Sequence, residues 1–308
     1  MAGLLLGAGE LLWDLLPSGR RLGGAPANFA FHASRLGCRG AVASRVGTDP
    51  LGREALRTLD LLGVDRSRVQ VDPELPTGTV EVALDGEGRP DYTIREGVAW
   101  DALAFTPGLE ALARDADAVC FGTLAARDPR ARETLFRVLD AARGLRILDV
   151  NLRPPFVDGE VLRALLARAD ALKASGEELP VVAALCGAEA DPASLRTALG
   201  LSAVAVTLGP KGGVLCTEDG RFEEPGLRVQ VVDTVGAGDA FAAALATGLV
   251  QGLDPAGILQ RATRLSAFVC TKEGAMPETG EFLRRDPHFR TRVQPGVQAH
   301  SIDRHRPQ

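Results

Sequence analysis

Residues 229–251 run as a β-branched apolar stretch (Val229, Val231, Val232), a turn Asp233-Thr234-Val235-Gly236-Ala237-Gly238-Asp239, and an apolar helix from Ala240 to Leu249. This strand–turn–helix order constrains the chain more than any other feature. Two glycines let a backbone turn tightly and approach a ligand closely. The helix that follows presents unpaired N–H groups and the positive end of its dipole, which together make an anion site. Asp239 stands in its mouth. A carboxylate there suits a general base working beside a phosphoryl group in transfer. Gly-x-Gly at such a turn also serves simply to pack helix on sheet, and an Asp at a helix start also serves as an N-cap. The turn read alone leaves these options open.

Similar units recur along the chain. Residues 3–9 read as a buried strand, and Gly23-Gly24-Ala25-Pro26-Ala27-Asn28 leads into a small-residue helix that stops at Gly37, with Pro26 suited to its first turn. Ala41–Val46 reads as a strand, and Asp49-Pro50 caps a helix ending at Gly63. From residue 118 strand and helix alternate: strands at 118–121, 146–150, 171–173 and 203–207, and helices at 129–142, 159–168, 177–185 and 191–199. A hairpin around Glu218–Arg221 precedes the 229–251 unit, and a last helix spans Asp254 to Cys270. Such alternation predicts a parallel sheet covered by helices on both faces. Residues 76–100 break the pattern. Thr79 to Leu84 alternates, Asp85-Gly86-Glu87-Gly88 turns, and Tyr92-Thr93-Ile94 returns, which is an antiparallel hairpin inserted into the βαβ series. The tail from Arg284 is rich in Arg and Pro without apolar period and is expected to be flexible.

Composition excludes several classes. A chain of 308 residues forms one large α/β domain or two small ones. A net charge of −5 gives no nucleic-acid footprint. No apolar run approaches membrane-spanning length, and the N-terminal apolar stretch, interrupted by Glu10 and Asp14, reads as a first strand rather than a signal peptide. Five scattered Cys without a C-x-x-C pair read as buried thiols in a reducing compartment, so the cytoplasm is the expected location. Asn28 and Asn151 are the only asparagines, and Lys173, Lys211 and Lys272 the only lysines. A chain that avoids Asn and keeps two suggests that their amides are used.

The pair of motifs, Gly23-Gly24-Ala25-Pro26-Ala27-Asn28 and Asp233 to Asp239 about 200 residues later, resembles the ribokinase-like (PfkB) family of carbohydrate kinases over residues 3–283. Thr79-Val80 with Val98-Ala99-Trp100-Asp101, and Asp149-Val150-Asn151-Leu152-Arg153-Pro154, look most like bacterial fructokinases. The resemblance implies a three-layer α/β/α fold with a central, mostly parallel sheet and a small β-strand lid. It makes residues 1–283 one kinase domain, with the lid drawn from 11–22 and 76–100, and 284–308 a tail. Asp14 and Asn28 would hold sugar hydroxyls, since a carboxylate accepts two and an amide both donates and accepts. Gly24 would lie against the sugar. Gly236, Ala237 and Gly238 would form the anion hole, with Asp239 as base, on the substrate as well as in the chemistry.

ATP and Mg2+ are the implied cofactors. Lys173-Ala174-Ser175-Gly176-Glu177-Glu178 resembles the family's Asn-x-x-Glu element, with Ser175 where Asn is usual. It suggests Lys173 and Ser175 near phosphate and Glu178 near the metal. A helix N-terminus lined with acids is the plain alternative. Thr207-Leu208-Gly209-Pro210-Lys211-Gly212-Gly213 resembles the nucleotide loop, placing Thr207, Gly209 and Gly212 beside ATP with Gly238; it is not a P-loop. Phe268 to Pro277, with Lys272 and Ala275, resembles the adenine-side segment, or equally a helix C-terminus with its usual basic residue. Arg153 would reach phosphate or sugar. Tyr92 and Ile94 would pack on the sugar or on a second lid. The family also raises a homodimer through the lid and a monovalent cation, K+, at the Asp233 and Val235 carbonyls. His32 reads as structural and carries no role.

The expected activity is therefore an ATP-dependent sugar kinase, with fructose first and ribose or 2-keto-3-deoxygluconate as rivals. A non-catalytic sugar- or nucleotide-binding protein is the alternative from another class. A dinucleotide oxidoreductase would need a third glycine after Gly7-Ala8-Gly9, where Leu12 stands.

Overall fold

The computed structural model describes residues 3–16, 19–84 and 90–289, and the side chains of 82–92 lie outside that description. The turn expected at Asp85–Gly88, the side chain of Tyr92 and the tail beyond residue 289 therefore lie outside the described residues.

The chain opens with β1 (Leu4–Ala8), passes through β2 (Leu12–Leu16) and β3 (Gly19–Gly23), and enters α1 (Ala25–Arg35). Then come β4 (Arg39–Gly47), α2 (Pro50–Leu61), β5 (Asp65–Asp72), β6 (Gly78–Leu84), β7 (Pro90–Ile94) and α3 (Pro107–Asp115). The regular alternation follows: β8 (Ala118–Gly122), α4 (Pro129–Ala141), β9 (Leu145–Asp149), α5 (Gly159–Leu166), β10 (Ala171–Ser175), α6 (Leu179–Cys186), α7 (Pro192–Leu199) and β11 (Ala203–Thr207). The hairpin β12 (Gly212–Thr217) and β13 (Gly220–Pro225) precedes α8 (Ala237–Val250), α9 (Pro255–Cys270) and α10 (Gly280–Arg285).

Nine strands form one sheet in the order β13-β12-β11-β10-β9-β8-β1-β4-β5. From β11 through β5 every neighbour pair is parallel, and the β12–β13 hairpin closes one edge antiparallel. Successive side chains in a strand point to opposite faces, and the core obeys this. Leu6, Val119, Leu148, Leu172 and Val204 meet α3 to α7 on one face. Leu5, Ala118, Ile147, Ala171 and Ala203 meet α1, α8 and α9 on the other. This is the expected three-layer α/β/α arrangement. Asp at the N-cap and Pro in the first turn start α2, α4, α7 and α9, each Asp side chain accepting a first-turn backbone N–H.

A second sheet has four strands in the order β3-β2-β6-β7. The chain leaves β1 of the large sheet, crosses Gly9-Glu10-Leu11, and enters β2 of the small one. It returns through Gly24, whose φ is 106°, because a Cβ there would collide with the backbone carbonyl of Glu10. Ile94 packs beside Leu12 and Val80 within this sheet.

One local expectation needs correction. Residues 229–232 form no strand: Val231 and Val232 are 59% and 55% exposed, and the N–H groups of Val232 and Asp233 both bond the Cys270 carbonyl. The Cys270 carbonyl at the end of α9 takes these two N–H groups, so they are not offered to a ladder. Strand β5 and helix α3 went unanticipated. The boundary drawn at residue 284 falls inside α10, beyond which Phe289 packs on Phe282 at 5.5 Å. No helix among the described residues is long and apolar enough to cross a membrane.

Candidate active site

The order of the large sheet reverses at β1. From β1 the chain builds outward to β4 and β5, then jumps to β8 on the other side and proceeds to β9 and β10. Crevices at the carboxyl ends of strands at such a switch point are where open α/β sheets bind ligands. Here the N-termini of α1 and α8 meet the carboxyl ends of β8 and β9 around a small cavity bordered by Asp239, Asp149, Asn151 and Cys120.

The anion-binding turn has the form its sequence requires. Gly236 is the N-cap of α8 with φ 78°, a left-handed conformation, and a Cβ on it would strike Ala275. Ala237 N–H closes onto Thr234 O at 3.3 Å, and Ala240 N–H is bonded to Gly236 O at 2.9 Å. Between them the N–H groups of Gly238 and Asp239 have no backbone acceptor among the described residues, as expected in a first helical turn. Asp239 is the third residue of α8 rather than its cap.

Asn28 Nδ2 donates to Asp239 Oδ2 at 2.7 Å across 211 residues of sequence. Asn28 lies inside α1, not at its cap, and its Oδ1 is buried without a partner. Asp239 has a raised pKa, first because burial disfavours its charge; Asn28, Lys173 and Arg153 oppose the rise. Asp14, on β2, is pushed up to about 6 by burial and then by Asp233 and Asp239. Arg153 is exposed on the loop after β9, bonded to its neighbour's carbonyl, and its charge counters the rise at Asp14 and Asp239. The structure thus brings Asp14, Gly24, Asn28, Arg153 and the 236–239 turn around one centre.

The nucleotide-side residues divide. Ser175 and Thr207 are register partners on β10 and β11, and Gly209 is exposed beyond them. Glu178 caps α6, with its carboxylate taking the N–H groups of Leu152 and Ser175 at 2.7 Å each. Ser175 Oγ receives the Glu178 N–H at 3.2 Å. Among the described residues no group of three or more His, Cys, Asp or Glu could hold a metal.

Lys173 is buried and paired with Asp149 at 2.9 Å, beneath the turn. Gly212 is buried at the start of β12 against the backbone of Glu224 and Gly226. Ala275 is buried against Gly236, and Lys272 lines a separate groove with Phe268, Phe282 and Arg285. Gly212 and Ala275 are thus packed positions, while Lys272 is exposed.

Three residues lay outside the sequence reading of the site. Glu10, buried at the junction of the two sheets, has its pKa pushed up to about 7 by burial, and its Oε2 has no partner. Asp149 was noticed only within a motif. His32, fully buried, contacts Ala275 O through Nε2 at 2.8 Å and so ties α1 to the segment behind Gly236. A charge inside an apolar run was the one signal for Glu10. Arg21 on β3 faces Asp233 at 3.4 Å and Glu273 at 3.0 Å. Asp233 itself accepts from Val235 and Gly274 N–H.

Known proteins share this sequence pattern and fold. The profile of the pfkB family carbohydrate kinases matches residues 18–279. A fructokinase of Escherichia coli is 33% identical over 287 residues, 87% of this chain and 93% of that protein. The crystal structure of an uncharacterised sugar kinase from Pyrococcus horikoshii in complex with ATP superposes with a TM-score of 0.78 at 31% identity, covering 93% of this chain and 99% of that one. The fructokinase of Vibrio cholerae O395, in its fructose, ADP and calcium ion bound form, gives a TM-score of 0.75 at 28% identity over 90% of this chain and 95% of that one.

Proposed function

This chain belongs to the pfkB family of carbohydrate kinases, and we propose that it transfers the γ-phosphoryl group of MgATP to the primary hydroxyl of a monosaccharide. D-Fructose, giving fructose 6-phosphate, is the acceptor assigned first. The observation that carries this reading is the 2.7 Å bond between Asn28 and Asp239 at the mouth of α8. It sets a hydroxyl-binding amide against a base, beside an anion site. The similar fructokinases, one with fructose and ADP bound, support the acceptor, and the ATP-bound neighbour supports the donor.

Asp239 Oδ2 is occupied by Asn28, which leaves Oδ1 to take the hydroxyl proton. General-base help of this kind contributes about 10²- to 10⁴-fold. Asn28 Oδ1 and Asp14 receive hydroxyls of the sugar, Gly24 lies against its ring, and Arg153 balances the acids at the rim. The N–H groups of the 236–239 turn stabilise charge developing on the transferred group, at no cost of reorganisation. The phosphates of ATP run along Thr207, Gly209 and Ser175. Mg2+ on those phosphates would neutralise their charge, with Glu178 reaching it through water. The four-stranded sheet covers the sugar as a lid, and its outer face is the surface assigned to a homodimer. Arg21 already supplies a positive charge beside Asp233, where the resemblance put K+.

The test is ADP release from MgATP with fructose, ribose, 2-keto-3-deoxygluconate, tagatose and a nucleoside. Fructose should give a kcat/KM well above the others. Asp239→Asn should lower kcat on the order of 10³-fold with KM little changed. A variant keeping most of its kcat removes Asp239 as base. Ribose or 2-keto-3-deoxygluconate in the lead replaces the sugar and keeps the chemistry. ATP binding without turnover on any acceptor supports the binding-protein alternative.

A further inference from the structure

Lys173 and Asp149 stand opposite each other in the β9–β10 ladder. Lys173 Nζ donates to both Asp149 oxygens, at 2.9 and 3.2 Å, and both side chains are buried. Burying two ions costs several kcal/mol each, and an apolar pair of similar volume is often as stable. Stability alone therefore gives no reason for the pair. Its position does. A Cβ on Gly238 would lie 2.9 Å from Lys173 Nζ, so the ammonium sits directly under the second glycine of the anion-binding turn.

The charges around Asp239 come from every neighbouring element. Glu10 faces it from the β1–β2 junction, Asp14 from β2, Asp149 from β9 and the Cys120 thiol from β8. Neutral Asn28 touches it from α1. Against these acids stand Lys173 and Arg153. Arg153 is exposed, and water screens its charge. Lys173 is buried, and its charge is screened much less.

We propose that Lys173 is a positioning residue for phosphoryl transfer: fixed by Asp149, its buried ammonium braces the underside of the 236–239 turn and balances the negative charge that Asp239 and the transferring group bring together. This rests on the kinase reading only in taking Asp239 as the base. It replaces the role first expected for Lys173, direct contact with the nucleotide.

Two measurements test it on the full-length protein. The first is a ¹³C NMR titration of the Asp239 carboxyl without ligands, assigned by its loss in Asp239→Asn. The second is the kcat and KM of the same variants. Lys173→Met should move the Asp239 titration upward by on the order of one pH unit. It should lower kcat about 10- to 100-fold while both KM values stay within about threefold. Asp149→Asn should move the titration the opposite way, because the ammonium is then no longer shared. The double variant Lys173→Met/Asp149→Leu leaves neither member of the pair as an unpaired buried charge, which guards against a folding failure of the single change. Its upward shift should be smaller than that of Lys173→Met because the two changes act in opposite directions. A folded double variant with an unmoved titration and wild-type kcat overturns the proposal. So does a KM for ATP that rises about tenfold in Lys173→Met at constant kcat, the mark of a direct nucleotide contact. If the titration moves as expected and Asp239→Asn still turns over, the base assignment fails while the coupling of Lys173 to Asp239 stands.

Discussion

Glu10 illustrates how much one side chain can couple stability to pH. Its carboxyl is buried, Oε2 has no partner, and its folded pKa is raised from 4.5 to about 7. The folded state therefore holds a proton that the unfolded chain releases. Stability from this group is complete below pH 4.5 and is lost as pH rises through 7. Glu10→Gln keeps the neutral shape and should be more stable than wild type at pH 8, by on the order of 1–3 kcal/mol. The gap should close toward pH 5. Thermal unfolding at both pH values checks this, and an advantage of the same size at both would refute it. Asp14 is raised to about 6, so kcat/KM, measured as a pH profile, should fall as pH drops below about 6 and Asp14 takes up a proton; the raised pKa of Asp239 acts in the same direction. Asp239 and Asn28 were legible because each ends a glycine motif. Glu10 was not, because a lone carboxylate in an apolar run reads as an interruption. The Lys173–Asp149 pair depends on the register of β9 against β10, which neither segment encodes alone.

At the scale of elements, the turn into α8 is shaped from behind. Gly236 meets Ala275, and Ala275 is held by His32. Gly236→Ala combines a left-handed φ, which costs about 1–2 kcal/mol, with a clash that displaces the N–H donors. Gly63→Ala is the control: φ is 71° there and nothing lies within 4 Å of an added Cβ. Both variants should lose similar backbone stability in thermal unfolding, with Gly236→Ala losing more. Only Gly236→Ala should lose kcat, about 10²-fold, since a shift near 1 Å in a positioned group has that effect. Equal kcat in the two would mean the turn does not hold the transferring group. Most strands and helices followed from alternation and caps. Those that did not show the limits of local pattern. β5 carries Asp65, Arg66, Arg68 and Asp72 on an edge and looks like a loop. Val229 to Val232 look like a strand, but the N–H groups of Val232 and Asp233 are taken by the Cys270 carbonyl at the end of α9, a contact no local pattern encodes.

For the whole molecule, the two sheets share a junction at Glu10 and Gly24 and are tied again by Arg21, which reaches from β3 to Asp233 and Glu273. These ion pairs are partly exposed, so Arg21→Ala should cost less than about 1 kcal/mol. Its effect should appear instead as faster amide exchange in β2 and β3 and a severalfold higher sugar KM. Unchanged exchange would assign the docking of the small sheet to Trp13, whose Nε1 donates to Leu51 O at 3.0 Å.

The placement of β1 between β4 and β8 also sets a timetable. Synthesis at roughly 5–20 residues per second separates Asn28 from Asp239, 211 residues apart, by on the order of 10–40 s. During the first part of that interval β1 has one neighbour and an open edge, the kind of surface on which nascent chains aggregate. A chain stopped before residue 239 carries Asn28 without Asp239, so the two partners of this bond meet only after α8 has emerged.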